Sequence, residues 1–330
     1  MSQTKILQVE HLKKYFPVEK GFLEKMLTRS RRFVKAVDDV SFSIRKGEVF
    51  TLAGESGCGK TTTGKLVVRL VTPSSGRILF NGTDIVKTEH EELRVLRRRM
   101  QIIFQDPYAS FNPRMRVGDA VGHPLEIHGL AKGEDKVERV LKMLGRMGLV
   151  PPEQFAGLYP HQLSGGQRQR AAMARSLILE PEFIVADEPV SMIDVSLRTT
   201  IIDLMLDLRR ELGLTYLFIT HDLAIAKYIS DRIAIMYLGK IVEIGDKLEI
   251  FSKPTHPYTQ ALLLAIPVPN PERRRRIIEL RGEVPSAIDI PKGCRFRTRC
   301  PKAEEACKEE EPEMIQVSPS HLVACHQVEK

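Results

Sequence analysis

The sequence contains no tryptophan, and aromatic residues make up only 6% of its 330 positions. None of them interleaves with the basic clusters, so the sequence does not predict a surface that stacks nucleic-acid bases. No apolar run approaches the roughly 20 residues that a membrane-spanning helix requires. No secretory signal opens the chain, because its first residues lead directly into the strand-like run Ile6–Val9. We therefore expect a cytosolic protein.

The bulk composition is that of a globular protein, with 42% hydrophobic and 28% charged residues. The length predicts about two domains. The net charge of +8 includes basic clusters at 29–32, 97–99 and 273–276. This excess is compatible with a solvated surface, an anionic membrane surface or nucleic acid, and we favour the first because acidic residues are interspersed elsewhere.

A phosphate-binding loop pattern, G-x-x-x-x-G-K-T, lies between a strand-like run and a helix-like run. It consists of Gly54, Glu55, Ser56, Gly57, Cys58, Gly59, Lys60 and Thr61, followed by Thr62. Glycines let backbone N–H groups turn inward around a β-phosphate, and the helix N-terminus adds partial positive charge. Lys60 would reach the β- and γ-phosphates, and Thr61 would ligate Mg²⁺. The alternative, a glycine turn that binds nothing, is disfavoured by the strand–loop–helix context.

The remainder of the chain alternates between predicted sheet and predicted helix. In order, we predict an antiparallel sheet at 6–52 interrupted by a basic loop at 17–33, strands at 76–105, a mainly helical insert at 106–163 and a hairpin at 231–245. Tyr15 and Phe16 precede the basic loop and offer a flat face to adenine, although such a pair is as often core. Prolines after Phe251 predict a loop-rich extension. We therefore divide the chain into domains at 1–250 and 251–330.

Three further predicted elements begin or end in polar groups. Ser164, Gly165, Gly166 and Gln167 open a helix, which makes a second anion site. An apolar strand ends in Asp187 and Glu188, and carboxylates at that position need a partner such as a metal ion. Another apolar strand, at 216–220, ends before His221.

Taken together, these motifs resemble the ATPase subunit of an ATP-binding cassette (ABC) transporter. The motifs, in order, are the loop at 54–61, Gln105, the signature at 163–167, Asp187-Glu188, the loop Ser191-Met192-Ile193-Asp194, and His221. The resemblance implies an α/β fold: a P-loop NTPase (RecA-like) core with an antiparallel β subdomain, a helical insert subdomain and a small irregular metal-binding C-terminal extension.

In this family two subunits sandwich two ATP molecules, and each site combines the phosphate loop of one subunit with the Ser164-Gly165-Gly166 segment of the other. The resemblance implies that Glu188 is the general base, that Asp187 holds Mg²⁺ and that His221 holds the γ-phosphate. The resemblance also implies that Gln105 contacts Mg²⁺ and that Asp194 couples the two sites of the dimer. Phe16 would stack on adenine, or Tyr15 would do so if the register slips by one. The loop at 191–194 departs from the usual Ser-Ala-Leu-Asp but keeps its Ser and Asp, so activity is expected.

The C-terminal extension resembles the oligopeptide/dipeptide importer branch, on the run His256–Leu263 and the cysteine-rich tail. That branch implies ATP-driven import of peptides at the cytoplasmic face of the membrane. The partners implied are two transmembrane permease subunits, a paralogous ATPase or a second copy, and indirectly an extracytoplasmic solute-binding protein, with no nucleic acid. Nickel and oligosaccharide remain alternative cargoes.

The tail carries four of the five cysteines, Cys294, Cys300, Cys307 and Cys325, spaced C-x5-C-x6-C-x17-C. Structural zinc usually uses at least one C-x2–4-C pair, and none is present. Disulfides conflict with a cytosolic compartment. A 4Fe–4S cluster tolerates wide spacing, flanking Arg and Lys residues would offset its charge, and the importer branch is similar in carrying one here. We favour that cluster, in a structural role, with Zn²⁺ and free thiols as the alternatives.

Two functions of other classes are alternatives to transport. A soluble ABC ATPase acting on nucleic acid or the ribosome would carry a long coiled coil, zinc modules or two cassettes, but the interval from Gln105 to Leu163 is short and there is one cassette. A nucleotide-binding regulator without turnover would not need both Glu188 and His221.

Overall fold

The computed structural model describes residues 4–18, 32–266, 283 and 285–328. They form two compact units, one made of Met1–Lys87 with Ile219–Lys330 and the other of Thr88–Phe218. Most of the predicted basic loop at 17–33, and the whole basic cluster at 273–276, lie outside the described residues.

The described strands are numbered in chain order. They are β1 (Lys5–Pro17), β2 (Phe33–Arg45), β3 (Val49–Ala53), β4 (Ser75–Phe80), β5 (Thr83–Asp84), β6 (Met100–Ile103), β7 (Phe183–Asp187), β8 (Thr215–Thr220), β9 (Arg232–Tyr237), β10 (Lys240–Asp246), β11 (Met314–Ser318) and β12 (His321–Ala324).

The described helices are numbered in the same way. They are α1 (Lys60–Val67), α2 (His90–Arg99), α3 (Pro107–Ser110), α4 (Val117–Ile127), α5 (Gly133–Arg146), α6 (Pro152–Gly157), α7 (Gly165–Leu177), α8 (Val195–Leu212), α9 (Leu223–Ile229), α10 (Lys247–Ser252), α11 (Pro257–Leu264) and α12 (Ala306–Glu309). None of these helices is long and apolar enough to cross a membrane.

The first unit contains the predicted antiparallel sheet, with strand order β2-β1-β4-β5. In β2, Val40, Phe42 and Ile44 are buried while the serines between them are more exposed, which is the period-two pattern of a sheet with one face on a core. The prediction for residues 6–52 is wrong at its end, because β3 pairs in parallel with β9 in a different sheet. All five residues of β3 are buried, as expected for a strand covered on both faces.

In the first unit that second sheet has the order β11-β12-β10-β9-β3. The predicted hairpin is confirmed: β9 and β10 are antiparallel and turn at Leu238 and Gly239, which have φ angles of 41° and 81°. Two positive φ values are what a tight two-residue hairpin turn requires.

The second unit contains the parallel pair β6 and β7 together with helices α2 to α8. The mainly helical insert predicted at 106–163 is present as α3 to α6 and a 3₁₀ turn, Pro160–Gln162. The prediction of strands throughout 76–105 is wrong between β5 and β6, where α2 lies. Acidic residues in its first turn and Arg97–Arg99 in its last turn suit the helix dipole, and Leu93 and Leu96 provide its short buried stripe.

The C-terminal extension is better packed than its prolines suggest. Tyr258 of α11 and Phe296 of the tail are fully buried against Tyr237 of β9, with ring centroids 4.7 to 5.3 Å apart. Strand β12 pairs with β10 and so adds the tail to the sheet of the first unit. The extension is therefore held by aromatic packing and strand pairing over the part that the structure describes.

A buried polar network joins these elements. The carboxylate of Glu243, fully buried in β10, accepts hydrogen bonds from the backbone N–H groups of Thr255 and His256 and contacts His321 Nε2 at 2.7 Å. His256 Nδ1 accepts from the N–H of Tyr258 at 3.0 Å and thereby caps α11. Burial lowers the pKa of His256 from 6.5 to about 4, with Glu243 opposing that shift.

Acidification should destabilise the protein through His256. The unfolded chain takes up the proton near pH 6.5 and the folded chain only near pH 4, so stability should fall across that window. The loss should reach about 3 kcal/mol, since one pKa unit corresponds to about 1.4 kcal/mol. Thermal unfolding between pH 7 and about 4 should show a steeper decline for the wild type than for His256→Asn, which keeps a capping oxygen. Equal slopes would contradict the assignment.

Candidate functional site

The loop between β3 and α1 can be built only with glycine at its critical points. Gly59 has φ +107°, and a Cβ there would lie 2.1 Å from the carbonyl oxygen of Ala36. A Cβ on Gly54 would lie 2.2 Å from the carbonyl oxygen of Met236. The glycines therefore let the loop backbone pack closely on neighbouring chain segments while it turns into α1.

Lys60 is buried inside this loop, with 5% of its surface exposed. Its Nζ donates to the carbonyl oxygens of Gly54 and Glu55, each at 2.8 Å, and lies 3.8 Å from Cys58 Sγ. Among the described residues these partners are all neutral, and the first turn of α1 holds no acidic residue. A buried ammonium group beside a helix N-terminus and a glycine loop is a place for an anion. Thr61 and Thr62, in the same turn, are partly exposed.

Cys58 is the buried cysteine of the loop, with 4% of its surface exposed. Burial raises the pKa of its thiol, so the group is neutral near pH 7. It contributes a small side chain rather than a nucleophile.

Two contacts to the loop come from residues that belong to none of the ATPase motifs in the sequence. Both carboxylate oxygens of Glu55 accept from the Arg299 guanidinium, at 2.7 and 3.0 Å. The backbone N–H of Glu55 donates to the Tyr258 hydroxyl at 2.9 Å. These partners lie 244 and 203 positions away along the chain, and the only signal for them in the sequence is the cluster of arginines beside the tail cysteines.

The two aromatic candidates for adenine differ in their surroundings. The Tyr15 hydroxyl is hydrogen bonded to Asp38, and burial together with that carboxylate raises the pKa of Tyr15 to about 12. Phe16 is 37% exposed, with Lys14 Nζ 4.9 Å from its ring centroid. Phe16 is thus the ring with a more accessible face.

In the second unit the predicted carboxylates stand at the end of β7. Asp187 is 3% exposed, and Glu188 has a positive φ of 47°, unusual for a residue with a side chain. Gln105 Nε2 donates to Glu188 Oε2 at 3.0 Å, and Ser191 Oγ donates to the Glu188 carbonyl at 3.0 Å. The structure therefore brings together Gln105 and Glu188, which the sequence separates by 83 positions.

The signature segment forms a capped helix start. Ser164 Oγ accepts from the N–H of Gln167, and Gln167 Oε1 accepts from the N–H of Ser164, which makes a capping box. Buried Arg168 fixes the approach, because it donates to the carbonyls of Pro160 and Leu163, both at 2.7 Å. Ser164 is exposed, so the N-terminus of α7 is accessible to solvent.

The last two predicted residues stand at element boundaries. Asp194 is an exposed residue directly before α8, without a side-chain capping bond. His221 is exposed and follows β8 directly, before the Asp222 side chain that caps α9. His221 belongs to the first unit and Asp194 to the second.

None of the five cysteines is in a disulfide, and in the tail the backbone N–H of Cys294 donates to the carbonyl of Cys307 at 2.9 Å. Burial raises the pKa of Cys294 to about 11, and the thiols of Cys300, Cys307 and Cys325 add to that shift. Three of these thiols accept a hydrogen bond from the backbone N–H of the residue two positions further along the chain, and this bond lowers the pKa of the thiol. The donors are Phe296 for Cys294, Lys302 for Cys300 and Gln327 for Cys325. Within the described ranges, however, no three His, Cys, Asp or Glu side chains are arranged to hold a metal ion.

Comparison with known proteins gives consistent results. A family model for "ABC transporter" matches residues 37–191, and one for "Oligopeptide/dipeptide transporter, C-terminal region" matches residues 242–307. The chain is 48% identical to the oligopeptide transport ATP-binding protein AppF of Bacillus subtilis, over 98% of both chains. It is 45% identical to the probable peptide ABC transporter ATP-binding protein y4tS of Sinorhizobium fredii, over 97% of this chain and 89% of that one.

Among solved structures, the chain is similar to a dimeric post-hydrolysis state of the ATP-binding cassette MJ0796 bound to ADP and Pi. The TM-score is 0.63 at 28% identity, and the match covers 73% of this chain and 98% of the other.

Proposed function

Because the chain belongs to the ATP-binding subunits of the ABC transporter family, we propose that it hydrolyses ATP to energise the import of di- and oligopeptides through a membrane complex. The observation that carries this proposal is the buried Lys60 ammonium group, whose described partners are neutral groups of its own glycine loop. A phosphate chain is the anion that such a loop binds. The peptide cargo is supported by the family match at 242–307 and by the names of the relatives.

The loop residues 54–62 would hold the phosphates of ATP, with Lys60 on the β- and γ-phosphates. Thr61, Asp187 and Gln105 would hold Mg²⁺, which supplies charge neutralisation on the phosphate oxygens when it is bound. Phe16 would stack on adenine, which its 37% exposure supports.

Glu188 would orient the attacking water as general base. Its hydrogen bond with Gln105 supports a link between that base and a residue proposed to contact Mg²⁺. His221 would hold the γ-phosphate. The positive φ of Glu188 is consistent with a strained residue at a functional position.

The signature at 163–167 would act on the nucleotide of a second ATPase subunit, either a paralogue or another copy. The exposed Ser164 at the capped start of α7 supports this role, since a helix N-terminus that is accessible to solvent can bind a phosphate group. Asp194 would couple the two sites across that dimer.

The membrane complex would contain two permease subunits, and a solute-binding protein outside the membrane would deliver the peptide. The ATPase would then lie at the cytoplasmic face as a peripheral subunit. These partners are supported by the family to which the chain belongs.

For the tail we propose that Cys294, Cys300, Cys307 and Cys325 hold a 4Fe–4S cluster. The proposal is supported by the hydrogen bond from the Cys294 N–H to the Cys307 carbonyl and by the backbone N–H groups that face three of the thiols. These N–H groups would stabilise thiolate ligands against the larger effect of burial, which raises the pKa of the thiols. The described side chains are not closed around a metal ion, so the thiols would have to draw together when they bind one.

Substitution Glu188→Gln should leave ATP binding intact and lower the turnover number about 100-fold or more, because the amide cannot accept the proton of the attacking water. Steady-state phosphate release, beside a nucleotide-binding measurement, tests this. Glu180→Gln, an exposed position before β7, is the matched control and should turn over like the wild type. Undiminished hydrolysis by Glu188→Gln would mean that the base is another residue.

Substitution Cys300→Ser should remove iron and acid-labile sulfide from anaerobically purified protein and loosen the tail, while the ATPase core stays folded. Cys58→Ser is the control, because this buried cysteine lies in the loop rather than the tail and should retain the iron. If Cys300→Ser keeps its full iron and sulfide content, or if the wild type contains zinc and no sulfide, the assignment of a 4Fe–4S cluster is wrong.

A further inference from the structure

The phosphate-loop residue Glu55 forms an ion pair with a residue of the C-terminal extension. Arg299 Nη1 donates to Glu55 Oε2 at 2.7 Å and Arg299 Nη2 donates to Oε1 at 3.0 Å, the parallel two-bond geometry of an arginine fork on a carboxylate. The Arg299 side chain is 7% exposed and that of Glu55 is 27% exposed. An exposed ion pair costs little to lose, whereas removing one partner of a pair so sheltered from water leaves a poorly solvated charge.

The backbone of the same residue is held as well. The Glu55 N–H donates to the Tyr258 hydroxyl at 2.9 Å, and the Glu55 carbonyl accepts from Lys60 Nζ at 2.8 Å. Three separate groups of one loop residue are therefore fixed, and two of the three partners come from the extension. The third partner is the lysine proposed to bind phosphate, so the position of Glu55 bears directly on where the Lys60 ammonium lies.

Arg299 and Tyr258 are themselves held in place by packing and hydrogen bonding within the first unit. The Tyr258 ring packs 4.7 Å from Tyr237 and 5.3 Å from Phe296, centroid to centroid. The Arg299 N–H donates to the Phe296 carbonyl at 2.9 Å, and its guanidinium lies 5.9 Å from the Tyr237 ring centroid. The loop is thus braced against a buried aromatic cluster rather than against a mobile surface group.

We propose that Arg299, with Tyr258, is a positioning residue for nucleotide binding, which holds the phosphate loop in its binding shape through Glu55. This inference rests on the proposed function, because it assumes that the loop binds a nucleotide. A loop already fixed in the bound geometry loses less conformational freedom on binding, so the brace raises affinity without touching the ligand. The alternative is that the pair merely attaches the tail to the rest of the first unit.

Binding of Mg-ADP to the full-length protein, measured by calorimetry, separates these accounts, since ADP occupies the loop without being hydrolysed. Arg299→Gln and Glu55→Gln should each weaken ADP binding about tenfold. The double variant should also lose about tenfold rather than a hundredfold, because both changes break one interaction. Arg297→Gln is the matched control: this neighbouring arginine is more exposed, and its Nε donates to the Lys292 carbonyl. It should bind ADP like the wild type.

Wild-type affinity in Arg299→Gln, with only a lowered melting temperature, would reduce the pair to a structural attachment and overturn the proposal. Independent losses that multiply in the double variant would do the same.

If Arg299→Gln does not fold, two milder variants carry the test. Tyr258→Phe removes only the hydroxyl and should weaken ADP binding roughly threefold. Arg299→Lys keeps the charge but not the fork, so it should fall between the wild type and the full loss. Unchanged affinity in both would overturn the proposal. Failure of the wild type to bind ADP would instead refute the proposed function.

Discussion

The ammonium group of Lys60 sets the main physical constraint on this protein. It is buried, and among the described residues it meets only neutral groups of its own loop. A buried positive charge is costly unless an anion offsets it, so the loop is most stable when an anion is bound to it. The glycines at 54 and 59 shape the same loop, because they let its backbone pack closely on the carbonyl oxygens of Met236 and Ala36.

That constraint reaches into the C-terminal extension. One of the two carbonyls that accept a hydrogen bond from Lys60 Nζ belongs to Glu55, whose other groups are held by Tyr258 and Arg299. The same short segment that supplies Arg299 also supplies Cys294 and Cys300. Packing of the tail and shape of the loop are therefore linked through one carboxylate, which gives a physical reason for attaching an extension of this kind to a nucleotide-binding unit.

The sequence predicted the parts of the site that depend on local spacing. The loop at 54–61, the capped helix start at Ser164 and the strand ending in Asp187 are each recognisable because one element and its terminus lie together in the chain. The same holds for the hairpin at Leu238 and Gly239. The helix α2 was missed because its buried stripe consists of only Leu93 and Leu96 amid charged residues, too short to establish a helical period.

Contacts between distant segments could not be predicted in this way. The fork of Arg299 on Glu55 joins residues 244 positions apart, and the hydrogen bond of Gln105 to Glu188 spans 83. The buried ring contacts of Tyr258 and Phe296 also depend on tertiary packing. The proline-rich composition therefore predicted a loop-rich tail and did not indicate how closely it packs. The positive φ of Glu188 is another property of the folded chain that no residue pattern indicates.

The measurement that tests the central claim most directly is gentle purification of the tagged protein from native membranes, with the co-purifying chains identified by mass spectrometry. The account predicts two multi-span permease subunits together with an ATPase partner, and a complex whose ATP hydrolysis rises when a peptide-loaded binding protein is added. Recovery of only soluble proteins or nucleic acid, from membranes that demonstrably contain the protein, would contradict it.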